Sequence, residues 1–240
     1  MASEKDSCDW IFIYYAPYDN DLSAHSDTIL AQLSTASKYD NVRVVFQLDT
    51  DDTLGMYRYS ISPSGVHIDT IPSEESTSNE QLQDYFNWIG DNFAFRNSAI
   101  FFLDHGGGLD EVGQDLYPDS TFIKVPDIRN VLLSFKYENN VLIDLIYLQV
   151  CAKASIEPLY ELSEIADYTL ACQRYLGAPN YYYKGMLQHV AKIPRNQWRG
   201  FGHSNCSVGS TGNVRVANLY WQRQLWSSPP RISEVYYENG

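Results

Sequence analysis

The chain has few basic residues: 17 lysines and arginines stand against 30 aspartates and glutamates in 240 residues. The formal net charge of −13 argues against nucleic acid as the main partner, because binding to phosphates requires clustered Lys and Arg. It argues equally against an anionic membrane surface. No apolar stretch approaches the roughly 20 residues that a membrane-spanning helix needs. We therefore expect a partner that is neither a nucleic acid nor a membrane.

A secretory signal is also missing from the start of the sequence, because Met1–Asp6 has no basic segment followed by an apolar one. Cysteine is scarce, with four residues and no C-x-x-C pair. This scarcity excludes a disulfide-stapled scaffold and gives no support to a zinc or redox site. We expect a cytoplasmic protein, with a secreted or periplasmic location as the alternative if a signal peptide has been removed. The cysteines are Cys8, Cys151, Cys172 and Cys206.

Short apolar runs, rich in β-branched and aromatic residues, predict buried strands along the first three quarters of the chain. Their apolarity is continuous rather than alternating, which indicates a sheet covered on both faces, as parallel sheets are. The predicted strands are Trp10–Ala16, Val42–Leu48, Ala99–Leu103, Leu142–Val150 and Tyr168–Cys172.

Amphipathic segments between these runs predict helices, so that strands and helices alternate along the chain. Met56–Ser62 and Val66–Ile71, joined by Pro-Ser-Gly, predict a β-hairpin inserted after the second strand. The pattern is typical of an α/β protein, a three-layer α/β/α sandwich with a mainly parallel central sheet and right-handed crossovers. The predicted helices are Leu22–Ala36, Asn79–Phe93, Asp127–Lys136 and Ser155–Glu164.

Polar residues and one cysteine follow the predicted strands, at the edge where an open parallel sheet binds ligands. His105 and Cys151 follow the third and fourth strands, so we expect them on neighbouring strands, as a base and a nucleophile require. Carboxylates follow the first two strands. The residues at this edge are Asp19, Asn20 and Asp21, then Asp49, Asp51 and Asp52, then Asp104–Gly108, and finally Gln149 and Cys151.

His105 and Cys151 each have a structural interpretation as well as a catalytic one. A lone cysteine after an apolar run is often a small buried hydrophobic residue, and a histidine before three glycines can simply close a turn. The combination favours catalysis. Gly106–Gly108 frees backbone N–H groups and lets a substrate main chain approach closely. Cys151 precedes a predicted helix, whose N-terminal dipole would favour the thiolate.

Several blocks of the sequence resemble the clostripain (C11) cysteine peptidases, relatives of caspases, legumain, separase and gingipains. The resemblance covers about residues 10–185. His105 precedes Cys151 by 46 residues, near the spacing of about 50 residues in caspases. The similar blocks are the first strand with Asp19–Leu22, Val44–Asp49, Tyr85–Ile89, Leu103–Gly108, Leu148–Ala152 and Glu157–Asp167.

The resemblance implies a caspase-like sandwich forming one peptidase domain over residues 1–240, with 186–240 as a C-terminal elaboration. It implies hydrolysis of a protein or peptide substrate through a thioester acyl-enzyme. Cys151 would attack the scissile carbonyl, and His105 would protonate the leaving amine and then activate water. The backbone N–H groups of Gly106 and Cys151 would bind the oxyanion. Asp104 is a weaker candidate for orienting His105, because adjacent strand residues point to opposite faces.

Gln149 sets this chain apart from the family, which more often has Asp two residues before the cysteine. That residue lines S1, the pocket for P1, the substrate residue on the N-terminal side of the scissile bond. An Asp there favours Arg or Lys at P1, and Gln removes the charge-assisted hydrogen bond. Asp19, Asp21 or Asp49 could supply another carboxylate. We expect a basic P1 residue, with a neutral one as the alternative, and Asn180 is a further S1 candidate.

The sequence requires no cofactor. The resemblance implies calcium as an optional one, and Asp49, Asp51 and Asp52 offer hard oxygen ligands, although a solvated acidic turn is the stronger interpretation. Activation by self-cleavage between the two catalytic candidates is a further hypothesis. Lys124, expected in a loop, and Arg129 are its candidate positions.

Two other classes of function stay open at this point. A non-catalytic caspase-like interaction module would need neither His105 nor Cys151. A small-molecule enzyme could bind phosphate on Gly106–Gly108, but this loop matches neither G-x-G-x-x-G nor G-x-x-x-x-G-K-[ST]. The natural substrate, the trigger and the oligomeric state are left open by the sequence.

Overall fold

The computed structural model of the protein describes residues 4–50, 55–117 and 119–193, together with the backbone of a strand at Val216–Ala217. Most of this chain is built around one eight-stranded sheet. The strands of the sheet are β1 Asp6–Pro17, β2 Val42–Asp49, β3 Met56–Ser62, β4 Gly65–Ile71, β5 Phe93–Leu103, β8 Ile143–Gln149, β9 Ala166–Ala171 and β10 Val216–Ala217.

The sheet has the order β10-β9-β8-β5-β1-β2-β3-β4 and is parallel except at one edge. β1 pairs in parallel with β2 and β5, and β5 pairs in parallel with β8. β3 and β4 form the antiparallel hairpin that the sequence predicts. All eight residues of β2 are buried, because helices cover both faces and leave no side for alternating polar residues.

Helices pack on both faces of the sheet and complete the predicted three-layer α/β/α sandwich. α2, α3 and α4 lie over a core that contains Ile13 and Phe86. α1 and α5 lie over the opposite core, which contains Tyr14 and Leu187. None of the described helices is long and apolar enough to cross a membrane. The helices are α1 Ser26–Leu33, α2 Asn79–Asn92, α3 Val125–Glu138, α4 Ile156–Glu161 and α5 Tyr183–Lys192.

The structure differs from the sequence-based expectation in three places. A small second sheet, β6 Glu111–Asp115 with β7 Thr121–Lys124, lies between β5 and α3. The helix predicted over 22–36 is α-helical only in α1, with 3-10 turns before and after it. α5 follows β9 where the sequence pattern weakens. Apart from β10, the predicted C-terminal elaboration after residue 193 lies outside the described residues.

Candidate active site

His105 and Cys151 follow the ends of two neighbouring parallel strands. Leu103 is the last residue of β5, Gln149 is the last of β8, and the two are paired in the sheet register. Each candidate lies two residues beyond its strand, so the register brings the two to the same level at the carboxyl edge. Both are partly exposed, and both line one cleft. The expected juxtaposition at adjacent strand ends is therefore present.

The loops that carry His105 and Cys151 are packed directly against each other. A Cβ atom added to Gly106 would collide with the carbonyl oxygen of Cys151, so only glycine fits there. Lys153 crosses between the loops, and its Nζ donates hydrogen bonds to the carbonyls of Gly108 at 2.8 Å and Gly107 at 3.4 Å. Lys153 is 1% exposed, and this burial lowers the pKa of its ammonium.

The Cys151 sulfur lies next to a third segment, which follows β9. The backbone N–H of Leu176 donates to the sulfur at 3.3 Å. Cys151 precedes α4 as predicted, but the expected action of the helix dipole on its thiol is wrong. α4 begins only at Ile156, after a turn in which Ala152 adopts a φ of 56°. The dipole of α4 therefore does not act at the thiol, because such effects fall off within the first turn of a helix.

The ring of His105 is held by Asp21, which the sequence analysis assigned to S1. Its Nε2 atom and Asp21 Oδ1 are 2.8 Å apart. The hydrogen bond with His105 is the main cause that lowers the pKa of Asp21. Asp104, the earlier candidate for orienting the ring, instead accepts a hydrogen bond from the backbone N–H of His105.

Asp104 is committed to holding the strand-end loops together. It is 6% exposed, accepts from Asn20 Nδ2 at 3.1 Å and accepts from the backbone N–H of Gln114 at 3.0 Å. Burial is the largest effect on this carboxyl and raises its pKa well above the usual range. Asp104 lines the cleft, but its oxygens already accept from Asn20 and His105, in the loops after β1 and β5, and from Gln114 in β6.

Gln149 lies at the base of the cleft, and both ends of its amide are bonded to tyrosines. The hydroxyl of Tyr182 donates to Gln149 Oε1, and Gln149 Nε2 donates to the hydroxyl of Tyr183 at 2.7 Å. Asn180 lines the same cleft, as the sequence analysis expected of an S1 residue. The lining residues are Tyr18, Leu22, Asp104, His105, Gln149, Cys151, Leu176, Gly177, Ala178 and Asn180.

Asp19, Asp21 and Asp49 are not among the described residues that line the cleft. Asp49 is 1% exposed and lies near Asp19 and Asp115, and burial is the main cause that raises its pKa to about 7. A parallel sheet brings strand-end carboxylates to one edge, but here Asp49 is buried at that edge. The described residues contain no group of three or more His, Cys, Asp or Glu side chains that could hold a metal ion.

Two expectations concern residues outside the cleft. Asp51 and Asp52, the other calcium candidates, lie outside the described residues, as does Cys206. Lys124 was expected in a loop, and this is wrong, because it is the last residue of β7. Its Nζ donates to Glu111 Oε1 at 2.6 Å, and Arg129 lies within α3.

The sequence analysis missed the roles of Lys153, Leu176 and the pair Tyr182 and Tyr183. A lysine two residues after the candidate nucleophile is a signal that could have been examined, because a cation so close in sequence is expected near the site. Its burial could not have been foreseen, since lysine is rarely fully buried. The backbone contact of Leu176 has no sequence signal, since any residue but proline supplies the N–H. The tyrosines lie 33 and 34 residues from Gln149, and only the fold brings them together.

Comparison with known proteins identifies the family and the fold of this chain. The sequence profile of the clostripain family of C11 peptidases matches residues 14–207. Among curated proteins, none matches the chain. The fold is similar to that of a secreted C11 cysteine protease from Bacteroides thetaiotaomicron in complex with an irreversible peptide inhibitor, with 18% identity and a TM-score of 0.63. That match covers 78% of this chain and 54% of the other.

Two further structures are similar. Iotapain, a secreted C11 cysteine protease from Bacteroides thetaiotaomicron, has 13% identity and a TM-score of 0.61, over 79% of this chain and 58% of its own. An inactive zymogen C11 protease from Parabacteroides distasonis has 17% identity and a TM-score of 0.56, over 77% and 53%. The chain thus spans little more than half the length of these proteins, and the likeness concerns the fold. Because the family profile matches most of the chain, the protein belongs to the clostripain family of C11 cysteine peptidases.

Proposed function

We propose that the protein is a cysteine endopeptidase in which Cys151 is the nucleophile and His105 the general acid and base. The supporting observation is that these two side chains line one cleft beyond two register-matched parallel strands. Both are accessible to a substrate, since each is partly exposed. The substrate is a protein or peptide chain, and its natural identity is left open.

The reaction proceeds in two steps. The Cys151 thiolate attacks the scissile carbonyl carbon, the C–N bond breaks, and His105 gives its proton to the leaving amine. A thioester joins the sulfur to the acyl half of the substrate. His105 then takes a proton from water as the oxygen of that water attacks the thioester carbon. The C–S bond breaks, the carboxylic acid is released, and the Cys151 thiolate and protonated His105 are restored. The backbone N–H groups of Gly106 and Cys151 are the proposed oxyanion donors, and their loops are in contact.

Asp21 has a positioning role in this mechanism. Its carboxylate can only accept a hydrogen bond from His105 Nε2, so the neutral ring carries its proton there and leaves Nδ1 as the acceptor. Imidazolium forms when His105 holds the thiol proton, and the adjacent carboxylate stabilises that charge. The side chain of Asp21 is 84% exposed, so solvent moderates this effect.

The basic P1 preference expected from the family depended on a carboxylate from Asp19, Asp21 or Asp49. None of these lines the cleft among the described residues, which favours the neutral P1 alternative. Calcium is an optional cofactor on the strength of the family resemblance. Of the three candidate calcium ligands, Asp49 alone lies among the described residues. One of its carboxylate oxygens accepts a hydrogen bond from the N–H of Thr50, so no step is assigned to calcium.

The proposals on activation and cellular location rest on the similar proteins rather than on the geometry of the site. The Parabacteroides protein is described as an inactive zymogen, which supports activation of this chain from an inactive form, and self-cleavage between His105 and Cys151 is the proposed route. Lys124 and Arg129 lie in a strand and a helix, where a chain cannot easily extend into a protease cleft, which disfavours both as cleavage positions. Two of the similar proteins are secreted, which favours export of this chain over the cytoplasmic expectation.

Alkylation and turnover together test the proposed function. Wild-type protein should hydrolyse a fluorogenic peptide and should be alkylated by iodoacetamide at Cys151 near neutral pH. Cys151→Ala and His105→Ala should abolish hydrolysis, and His105→Ala should also slow alkylation. Cys172→Ala is the matched control, because Cys172 is a partly buried thiol after the next strand. Equal slow labelling of the described thiols without hydrolysis would instead support a non-catalytic module.

A further inference from the structure

The residue at the base of the cleft is held in place by its neighbours. Gln149 is 5% exposed. The Tyr182 hydroxyl donates to the amide oxygen, and the amide nitrogen donates to Tyr183. Because a tyrosine hydroxyl can both donate and accept, these two partners hold the amide in position and satisfy its oxygen and one of its N–H groups. Gln149 therefore offers the cleft a fixed, uncharged surface with one remaining N–H.

The two tyrosines also remain uncharged at neutral pH. Burial raises the pKa of Tyr183 to about 12 and raises that of Tyr182 well above its usual range. Their rings pack on each other with centroids 4.5 Å apart, and Tyr14 packs edge-on against Tyr183. This aromatic packing fixes the hydroxyls beneath Gln149. These three residues therefore contribute no ionised group to the base of the cleft, as far as the described part of the chain forms it.

The walls of the cleft continue this neutral lining. Leu22, Leu176 and Ala178 contribute apolar groups, and Asn180 contributes an amide that donates to the carbonyl of Gly177. The described lining contains no lysine or arginine, and its one carboxyl, Asp104, is bonded to donors of the surrounding loops. A cationic P1 side chain would lose water here without meeting a free carboxylate, which is unfavourable. An anionic P1 side chain would meet no lysine or arginine among these described lining residues.

We propose that the cleft selects substrates with an uncharged side chain at P1, and that Gln149, Tyr182 and Tyr183 determine this specificity. The proposal rests on the proposed function, because P1 is defined by the bond that Cys151 attacks. It departs from the preference for Arg or Lys that the family resemblance implied. It also explains how a glutamine fits beside the nucleophile, since the tyrosines satisfy an amide that would otherwise be buried without partners.

Peptides that differ only at P1 test the proposal. Met, Gln, Lys, Arg and Asp are compared in one fluorogenic sequence at high ionic strength, which screens the attraction of cations to a chain of net charge −13. We expect kcat/KM for Met or Gln to exceed that for Lys or Arg by about tenfold or more. Gln149→Asp should move the ratio of Arg to Met upward by about tenfold to a hundredfold, the range of a charge-assisted hydrogen bond.

Two further variants keep the test decisive. Asn180→Asp places a carboxylate on the partly exposed wall of the cleft and should shift the same ratio if Gln149→Asp does not fold. Gln83→Asp makes the same exchange on the outer side of α2, where Gln83 bonds to Asn87, and should leave the ratio unchanged. The proposal is overturned if wild type prefers Arg or Lys tenfold, or if both folded cleft variants keep the wild-type ratio.

Binding separates this proposal from the proposed function. Fluorescence anisotropy of the same peptides with Cys151→Ala protein measures P1 preference without any turnover. Tighter binding of Met and Gln peptides than of Lys and Arg peptides supports the neutral pocket, and the reverse order overturns it. Absence of turnover by wild-type protein would overturn the peptidase mechanism alone, because the binding order would still report on the cleft.

Discussion

The Nε2 atom of His105 lies 2.8 Å from a carboxylate oxygen of Asp21, in the loop after β1. This pair joins the end of the central strand to the end of its neighbour β5. The ring of His105, the proposed general acid and base, is thus oriented from a third strand-end loop, in addition to the loops of His105 and Cys151. The sequence spacing of His105 and Cys151 gives no indication of this carboxylate.

Asp21→Ala should lower kcat about tenfold and change KM by less than twofold, because misorientation of the ring weakens proton transfer, which is worth roughly 10²–10⁴ in total. Asp21→Asn should recover part of the loss by accepting through its amide oxygen. Steady-state kinetics over a range of pH measures both effects. Asp27→Asn, an exposed carboxylate at the start of α1, is the charge control. If Asp21→Ala keeps the wild-type kcat at every pH, the proposed positioning role of Asp21 is wrong.

Lys153→Met should lower kcat several-fold, because it removes the hydrogen bonds that hold the Gly107–Gly108 carbonyls to the Cys151 loop. Alkylation of Cys151 by iodoacetamide needs no oxyanion donors and should keep its wild-type pH profile. Lys153→Arg should recover part of kcat. Lys136→Met is a matched control, since Lys136 also donates to two backbone carbonyls, those of Glu164 and Ile165, far from the cleft.

The Lys153 prediction separates positioning from electrostatics. If Lys153 instead acted by stabilising the thiolate, the alkylation profile of Lys153→Met would move to higher pH together with the loss of kcat. A melting temperature near the wild-type value excludes simple unfolding as the cause. If kcat falls equally in Lys136→Met and Lys153→Met, the cause is a general loss of stability and not a local role of Lys153.

Cys8 should resist alkylation at pH 7–9 in the folded protein. Burial is the main cause that raises its pKa to about 12, and only the thiolate reacts. Peptide mapping after a short exposure to iodoacetamide should find Cys151 modified and Cys8 unmodified, and addition of denaturant should make Cys8 reactive. Modification of Cys8 at the rate of Cys151 in the native protein would contradict its placement against the core.

Asp49 should make the protein less stable as the pH rises. Its pKa is about 7 in the folded chain, against an ordinary value of 3.8. The folded state therefore keeps a proton that the unfolded state loses, and the free energy of unfolding falls from about pH 4 to about pH 7. Asp49→Asn keeps the acceptor for Thr50 and should raise the melting temperature at pH 8 relative to wild type by several degrees, with little gain at pH 4.

Scanning calorimetry at pH 4 and pH 8 measures this difference. Asp91→Asn, an exposed carboxylate near the end of α2, should shift the melting temperature equally at both values. A constant gap between Asp49→Asn and wild type would contradict the raised pKa. If calcium raises the melting temperature of wild type but not of Asp49→Asn at pH 8, the result would favour binding of a cation at this carboxyl.

The parallel core was predictable because buried strands carry a strong signal. β2 and the second half of β5, Ala99–Leu103, are predominantly apolar runs, and α2 begins after Ser78, whose Oγ accepts from the backbone N–H of Gln81 at 3.2 Å. Consecutive strands are usually neighbours in a sheet, which is why His105 and Cys151 could be placed together.

Other features depend on contacts that the sequence does not encode locally. β6 and β7 are short and partly exposed, so their pattern is too weak to distinguish from a loop. Asp21 and Asp49 both come after apolar runs in the sequence, yet Asp21 lies exposed in the loop after β1 and Asp49 is the buried last residue of β2. That difference arises from where each strand ends, which the apolar pattern alone does not determine.

The contacts of Leu176 with the Cys151 sulfur and of Tyr182 and Tyr183 with Gln149 have a consequence during synthesis. A nascent chain that has emerged only as far as Cys151 has neither the downstream amide at the sulfur nor the phenols under the glutamine. The ribosome must deliver residues up to the start of α5 before these contacts can form. The surroundings of Cys151 are therefore completed late in translation.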